Sequence, residues 1–371
     1  MIALLGVPTD TQLDLVGGHL ADQGRDFTFW DQRRLHDADA DLTVESGRVE
    51  GRLHLGGQST DLQTVHALYN RPMALDELPA FRGAAWRERL ARIHRILEVW
   101  SDTTPIRVVN RLAAMASNSS KPYQAQLIQD AGFAVPETLV TNDPDLVRDF
   151  AARHPRLIYK SISAVRSVVS ELAAADLDRL DAILWCPAQF QEYVNGFDIR
   201  VHVVGEQTFA TRIDSEAIDY RYAARQGGVA SFSAFRIDDD LACRCVALTA
   251  RLGLSVSGVD LRLADDGEVF CFEVNPSPAF GYYEQRTGQE MSRSVAYLLA
   301  CGGPEAKGRS VRGHPPELEA GTAVDPVVNC QAQDSSADCA EGLELGVAGA
   351  GVVTPAGVTT RRPGGQDGGV D

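Results

Sequence analysis

Glu273 stands in the middle of an apolar run, residues 269–275, and Asp260 stands in a similar run just before it. Strand side chains alternate between faces. Val269, Cys271, Glu273 and Asn275 are therefore expected on one side, and Phe270, Phe272 and Val274 on the other, against a core. A carboxylate in such a run is costly to bury unless a positive partner meets it. Pairing residue 260 with 273 puts 264 opposite 269 and leaves Asp265 to Glu268 as a four-residue turn. In that register Asp260, Glu273 and Asn275 crowd one face at the ends of two neighbouring strands. Two carboxylates and an amide oxygen, without His or Cys, suit magnesium better than zinc. The competing explanation is an exposed hairpin face with ordinary surface acids.

The lysines point the same way. Of 35 basic residues only Lys121, Lys160 and Lys307 are lysine. Lysine is a compact point charge on a flexible stem, where arginine is a planar fork, so a retained lysine is a candidate for reaching a single phosphate oxygen. Lys160 ends a strand-like segment and precedes the small-residue run SISAVRSVVS, whose backbone N–H groups could approach phosphates. The strand end and turn in QEYVNGFDIR could hold an adenine and a ribose. Magnesium, two lysines and a small-residue loop together describe an ATP site.

The elements that must carry these residues form an α/β (α+β) pattern. IALLGV and DFTFWD are strands at a spacing that suits a βαβ unit, followed by ALYNRP and a helix in AAWRERLARIHRILEVW. Ser119 or Ser120 caps a helix to Ala131, AVPETLVT is a strand, and Asn142 or Asp143 with Pro144 opens another helix. RLIYKSI, AQFQEYV, DIRVHVVG and QTFATRI are strands, CRCVALTARLGL is a helix, and the hairpin of Asp260 and Glu273 follows. The division expected is residues 1–110, 111–187, 188–301 and a disordered tail over 302–371, where aromatics vanish and apolar periodicity ends. With 51 acidic residues and a pI near 4.9, a nucleic-acid surface is not expected. No apolar run reaches the length of a membrane span, the N-terminus lacks a signal-peptide pattern, and seven scattered cysteines fit a reduced, cytoplasmic protein. The scattered histidines offer no catalytic base. Arg166, Arg200, Arg212 and Arg225 could attract an acidic peptide, but solvated surface or structural ion pairs are expected for each.

In QEYVNGFDIRVHVVG, VSGVDLRL and FEVNPSP, in that order, residues 105–300 resemble the ATP-grasp carboxylate–amine ligases of the RimK type. YNRP, TLVTNDP, YKSISAVRS and RIDSEAIDYR bring the resemblance closer to the graspetide (microviridin-type) peptide maturases. The resemblance implies an ATP-grasp fold behind an N-terminal pre-ATP-grasp α/β domain, with ATP and Mg2+ as cofactors. It implies Lys121 and Lys160 at the phosphates, Glu192 and Tyr193 at the adenine hinge, and Asp198 at the ribose. Asp260, Glu273 and Asn275 are then the metal ligands, and Arg221 joins Lys160 in catalysis. The implied reaction links carboxylates of a leader-docked ribosomal precursor peptide to hydroxyls or amines as lactones or lactams. The alternatives are a glutamate ligase acting on a free metabolite or protein terminus, with a small carboxylate and amine as substrates, and a non-catalytic ATP-binding module. A homodimer is compatible with either ligase. The sequence departs from the pattern in three places: no glycine follows Lys160 in its loop, Tyr222 and Ala223 replace a serine and an asparagine, and Asp214 and Glu216 replace a histidine and a glutamine.

Overall fold

The computed structural model describes residues 1–75, 77–78, 83–162, 169–215, 217–220 and 229–301. Residues 302–371, expected to be a tail, lie outside these. The opening unit is β1 (Ile2–Gly6), α1 (Thr11–Asp22) and β2 (Phe27–Asp31). An antiparallel meander follows, β3 (Asp39–Glu45), β4 (Arg48–Leu55) and β5 (Gln58–Asp61). Then come β6 (Ala67–Arg71), α2 (Ala84–Thr103) and β7 (Arg107–Val109). The parallel sheet runs β2-β1-β6-β7. The expected βαβ opening is present. The meander was not anticipated, although its strands alternate and Ser46 and Gly47, at φ 52° and 76°, make the left-handed two-residue turn that joins hairpins.

After α3 (Leu112–Met115) and α4 (Lys121–Asp130) come β8 (Thr138–Thr141), α5 (Pro144–Arg153), β9 (Leu157–Ser161), β10 (Ser170–Glu171), α6 (Ala174–Leu177) and β11 (Ala188–Glu192). Their sheet is ordered β10-β9-β11-β8 and antiparallel. α4 stops before Gly132, which takes φ 82°. The Asp143 carboxylate accepts from Asp145 N at 2.9 Å, with Pro144 in the first turn, so α5 begins as the sequence predicts. The AVPETLVT strand is shorter than expected, confined to β8 apart from a bridge at Ala134.

The last part holds β12 (Gly196–Val204), β13 (Gln207–Ser215), β14 (Ala230–Phe235), α7 (Asp239–Arg251), β15 (Val256–Ala264), β16 (Val269–Asn275), α8 (Gly281–Thr287) and α9 (Met291–Ala300). Its antiparallel sheet is ordered β14-β13-β12-β15-β16. One face, with Ile199, Val201, Val259 and Val274, packs on Leu241, Cys245 and Leu248 of α7. The other shares a core with the parallel sheet: Val204, Phe209 and Val256 meet Ile2, Leu4, Val16 and Tyr69 around Phe280, Met291 and Val295. Among the described residues no helix is long and apolar enough to cross a membrane.

Candidate active site

The register of β15 and β16 decides the site. Asp260 lies opposite Glu273, as expected, but the pairing then slips, so that Leu261 faces Cys271 and Leu263 faces Val269. The expected pairing of 264 with 269 is therefore corrected by one residue. Phe272 is the extra residue of a β-bulge, and a bulge breaks the alternation of faces. Hence Cys271 and Val274 are both fully buried in the α7 core, while Phe272 and Glu273 both line the cleft on the other side. The expectation that Cys271 shares a side with Glu273, and Phe272 with Val274, is overturned for the same reason.

Register also places Arg200 of β12 opposite Asp260. Arg200, Asp260 and Glu273 thus form one row across three neighbouring strands, and Lys121 closes it, with Nζ 2.6 Å from Glu273 Oε2. Two carboxylates side by side repel one another; here a cation flanks each. Arg200, only 6% exposed, pairs with Asp260. Burial disfavours its charge, but Asp260, helped by Tyr283 and Tyr220, more than offsets this, so its pKa is raised. Space for the guanidinium comes from Gly258, where a Cβ would lie 2.4 Å from an Arg200 terminal nitrogen. Burial likewise opposes ionisation of Glu273, yet Lys121, followed by Lys160 and Arg200, holds its carboxyl down to about 2.

Lys121 is delivered by α4. Three residues further on, and so on the same helix face, the buried Gln124 clamps the helix to the edge of β16. Its Nε2 donates to Val274 O at 2.9 Å, and its Oε1 accepts from Val274 N at 3.0 Å. Asn275 sits two pairs beyond Glu273, opposite Gly258, and its Oδ1 accepts from Ser277 N at 2.9 Å. An amide oxygen has two lone pairs, so one remains for a further partner.

The row opens on a cleft between the β10-β9-β11-β8 and β14-β13-β12-β15-β16 sheets, lined by Ile158 and Lys160 of β9, Gln191, Tyr193, Asp198, Asp260, Arg262, Phe272 and Glu273. Tyr193, between β11 and β12, has the Arg156 guanidinium 3.7 Å and that of Arg262 5.4 Å from its ring centroid. Asp198 accepts from Arg262 Nε at 2.8 Å. Tyr220 also lines the cleft, its hydroxyl 2.9 Å from that of Tyr283. Burial, then Asp260, raises the Tyr220 phenol well above its ordinary value.

The structure therefore gathers Lys160, Tyr193, Asp198, Asp260 and Glu273 around one cleft, with Lys121 bound to Glu273 and Asn275 two residues further along β16. The Glu192 side chain turns elsewhere: Oε1 accepts from Glu137 N at 2.8 Å, and Oε2 lies 3.5 Å from His154 Nδ1. Arg221 lies outside the described residues. Arg200 was expected on solvated surface or in a structural ion pair; it forms such a pair, with Asp260, and their register places that pair in the site. Gly258, two residues before Asp260 in VSGVDL, is the signal that a large side chain crosses there.

As a donor set, two carboxylates in register and an amide oxygen beside them fit a hard, oxygen-seeking divalent cation. Among the described residues no group of three His, Cys, Asp or Glu could hold a metal by itself, so a zinc-type cage does not fit.

A family model for the RimK-like ATP-grasp domain matches residues 119–299. A probable alpha-L-glutamate ligase of Klebsiella pneumoniae is 30% identical over 210 residues, covering 53% of this chain and 69% of that protein. One from Photobacterium profundum is 30% identical over 199 residues, covering 50% and 65%. The chain thus spans about two thirds of the length of these relatives. Among solved structures, the ATP-grasp ligase PsnB complexed with a phosphomimetic variant of minimal precursor, Mg and ADP matches with a TM-score of 0.67 at 28% identity, covering 81% of this chain and 97% of that one. Macrocyclase MdnC bound with precursor peptide MdnA from Microcystis aeruginosa MRC gives a TM-score of 0.68 at 22% identity, covering 81% and 99%, a likeness of fold.

Proposed function

This chain belongs to the RimK-like ATP-grasp ligases, a family that uses ATP and Mg2+, and we propose that it activates side-chain carboxylates of a ribosomal precursor peptide and joins them to hydroxyls or amines of the same peptide. The observation that carries the ATP chemistry is the row Arg200, Asp260, Glu273 and Lys121 at the cleft that also holds Lys160.

In this reading a substrate carboxylate oxygen attacks the γ-phosphorus in line, and the bond to the bridging oxygen breaks to release ADP. The acyl phosphate then meets a hydroxyl or amine, which attacks the acyl carbon and loses its proton as inorganic phosphate departs. Such transfer depends on positioning and charge neutralisation more than on covalent help. Lys160 and Lys121 bind phosphate oxygens, and Lys160 shares the developing charge with Arg221. Tyr193 packs at the adenine, and Asp198, oriented by Arg262, takes the ribose. Asp260, Glu273 and Asn275 would hold magnesium, which when bound neutralises charge between the phosphates.

Peptide as substrate is supported by the 28% identity to PsnB over 97% of that chain, whose structure holds a minimal precursor. The second reading, a glutamate ligase, is supported by the 30% identity to the Klebsiella relative. It shares every nucleotide-site residue and differs only in the acceptor. A non-catalytic nucleotide binder has no need of a full set of oxygen ligands beside two lysines. The test is mass spectrometry of short peptides encoded beside the gene, each co-expressed with the protein. The expected result is loss of one water per link with the native chain, and none with Glu273→Gln or Asp260→Asn. Unchanged peptide masses with ADP release driven by free glutamate instead would move the assignment to the second reading.

A further inference from the structure

Arg71, in the YNRP stretch, is far in sequence from the acidic row but reaches the loop that follows it. It ends β6, and its side chain is 10% exposed. Its guanidinium pairs with Asp10 at 3.2 Å. Asp10 is fixed as the N-cap of α1, accepting from Gln12 N at 2.8 Å and Leu13 N at 3.0 Å. From this anchored base Arg71 Nη1 donates to Ser277 Oγ at 3.0 Å and to Pro278 O at 3.2 Å. Ser277 N in turn donates to Asn275 Oδ1.

The loop needs such outside support. Two of its residues, Pro276 and Pro278, have no N–H and cannot extend the ladder of β16. Besides Arg71, it is held at Pro276 O, which accepts from Asn110 Nδ2 at 2.6 Å, just after β7. Both ties come from strand ends of the parallel sheet.

We propose that Arg71 is a positioning residue for the metal site: by holding Ser277 and Pro278 it sets the turn that holds the Asn275 amide beside Asp260 and Glu273. The inference rests on the metal reading of those three residues. Only a planar fork serves here, because the same guanidinium also donates to Asp10 and to Gln12 Oε1 at 3.3 Å. The parallel sheet is thereby part of the nucleotide site without touching the cleft.

The test is Mn2+ binding to the full chain in the presence of ADP, followed by loss of the free-ion EPR signal, with thermal melting of the metal-free protein read alongside. Ser277→Ala removes the hydroxyl and leaves the Asp10–Arg71 pair in place; Arg71→Gln removes the fork. Both are expected to bind Mn2+ about tenfold more weakly, and the double variant no more weakly than Arg71→Gln alone. A purely structural role would lower the melting temperature and leave the Mn2+ affinity of the folded protein unchanged; that outcome overturns the proposal. If Arg71→Gln does not fold, Ser277→Ala decides alone. Glu273→Gln separates the two kinds of failure. Wild-type affinity in Glu273→Gln removes the metal reading and the proposal with it. Its loss there, with wild-type affinity in the other variants, overturns the positioning role alone.

Discussion

Burial and charge pull Glu273 in opposite directions, and charge prevails. Its carboxyl is held at about 2 despite burial, because Lys121 touches it and Lys160 and Arg200 lie near. A carboxylate depressed in the folded state stabilises that state at pH above its unfolded value of about 4.3. The stabilisation is lost as pH falls through that value towards 2. Chemical denaturation of the metal-free protein between pH 5 and 2 should therefore show a loss of about 2 kcal/mol that Glu273→Gln lacks. An identical pH profile in the variant would contradict the ion-pair assignment. Asp260, Glu273 and Lys160 were legible as site residues because their types conflict with their surroundings: acids in apolar strands, and lysine in a chain that prefers arginine. Arg200 was not, since nothing in its type separates it from other arginines; only strand register puts it against Asp260.

The bulge at Phe272 lets β16 present Phe272 and Glu273 to one side and Cys271 with Val274 to the other. No residue type in the run announces it, and a period of two, assumed throughout, predicts the wrong face for Cys271 and Phe272. The hairpins and capped helices, by contrast, were readable from local chemistry: Asp143 before Pro144, and Gly205 at φ 59° between β12 and β13. The meander over β3–β5 was overlooked, although Ser46–Gly47 was a signal. Helix α4 is where an element's placement becomes function. Gln124 supplies Val274 with two buried hydrogen bonds and thereby seats Lys121 on Glu273. Gln124→Ala should cost about 2–3 kcal/mol, because both Val274 groups lose their partner, and should raise KM for ATP as Lys121 shifts. Wild-type stability and KM, measured by denaturant titration and ADP release, would refute this clamp.

Across the whole molecule, a net charge of −16 sets a field that opposes nucleotide binding, yet Lys160 lines the cleft, and Lys121 and Arg200 pair with the two carboxylates that line it. Such local concentration of cations is what a polyphosphate requires of an acidic protein. The order of the sheets was partly visible as strands alternating with helices and then hairpins. The contact of the parallel sheet with the loop after β16 was not, because Arg71 and Ser277 meet only when both sheets share the core around Phe280. The account stands or falls on carboxylate activation. The decisive measurement supplies purified protein with ATP, Mg2+ and a carboxylate substrate labelled with 18O, either a co-encoded peptide or free glutamate. Formation of an acyl phosphate predicts one labelled oxygen in each inorganic phosphate released, and no such transfer with Glu273→Gln. Unlabelled phosphate released alongside product would contradict activation through an acyl phosphate at this site.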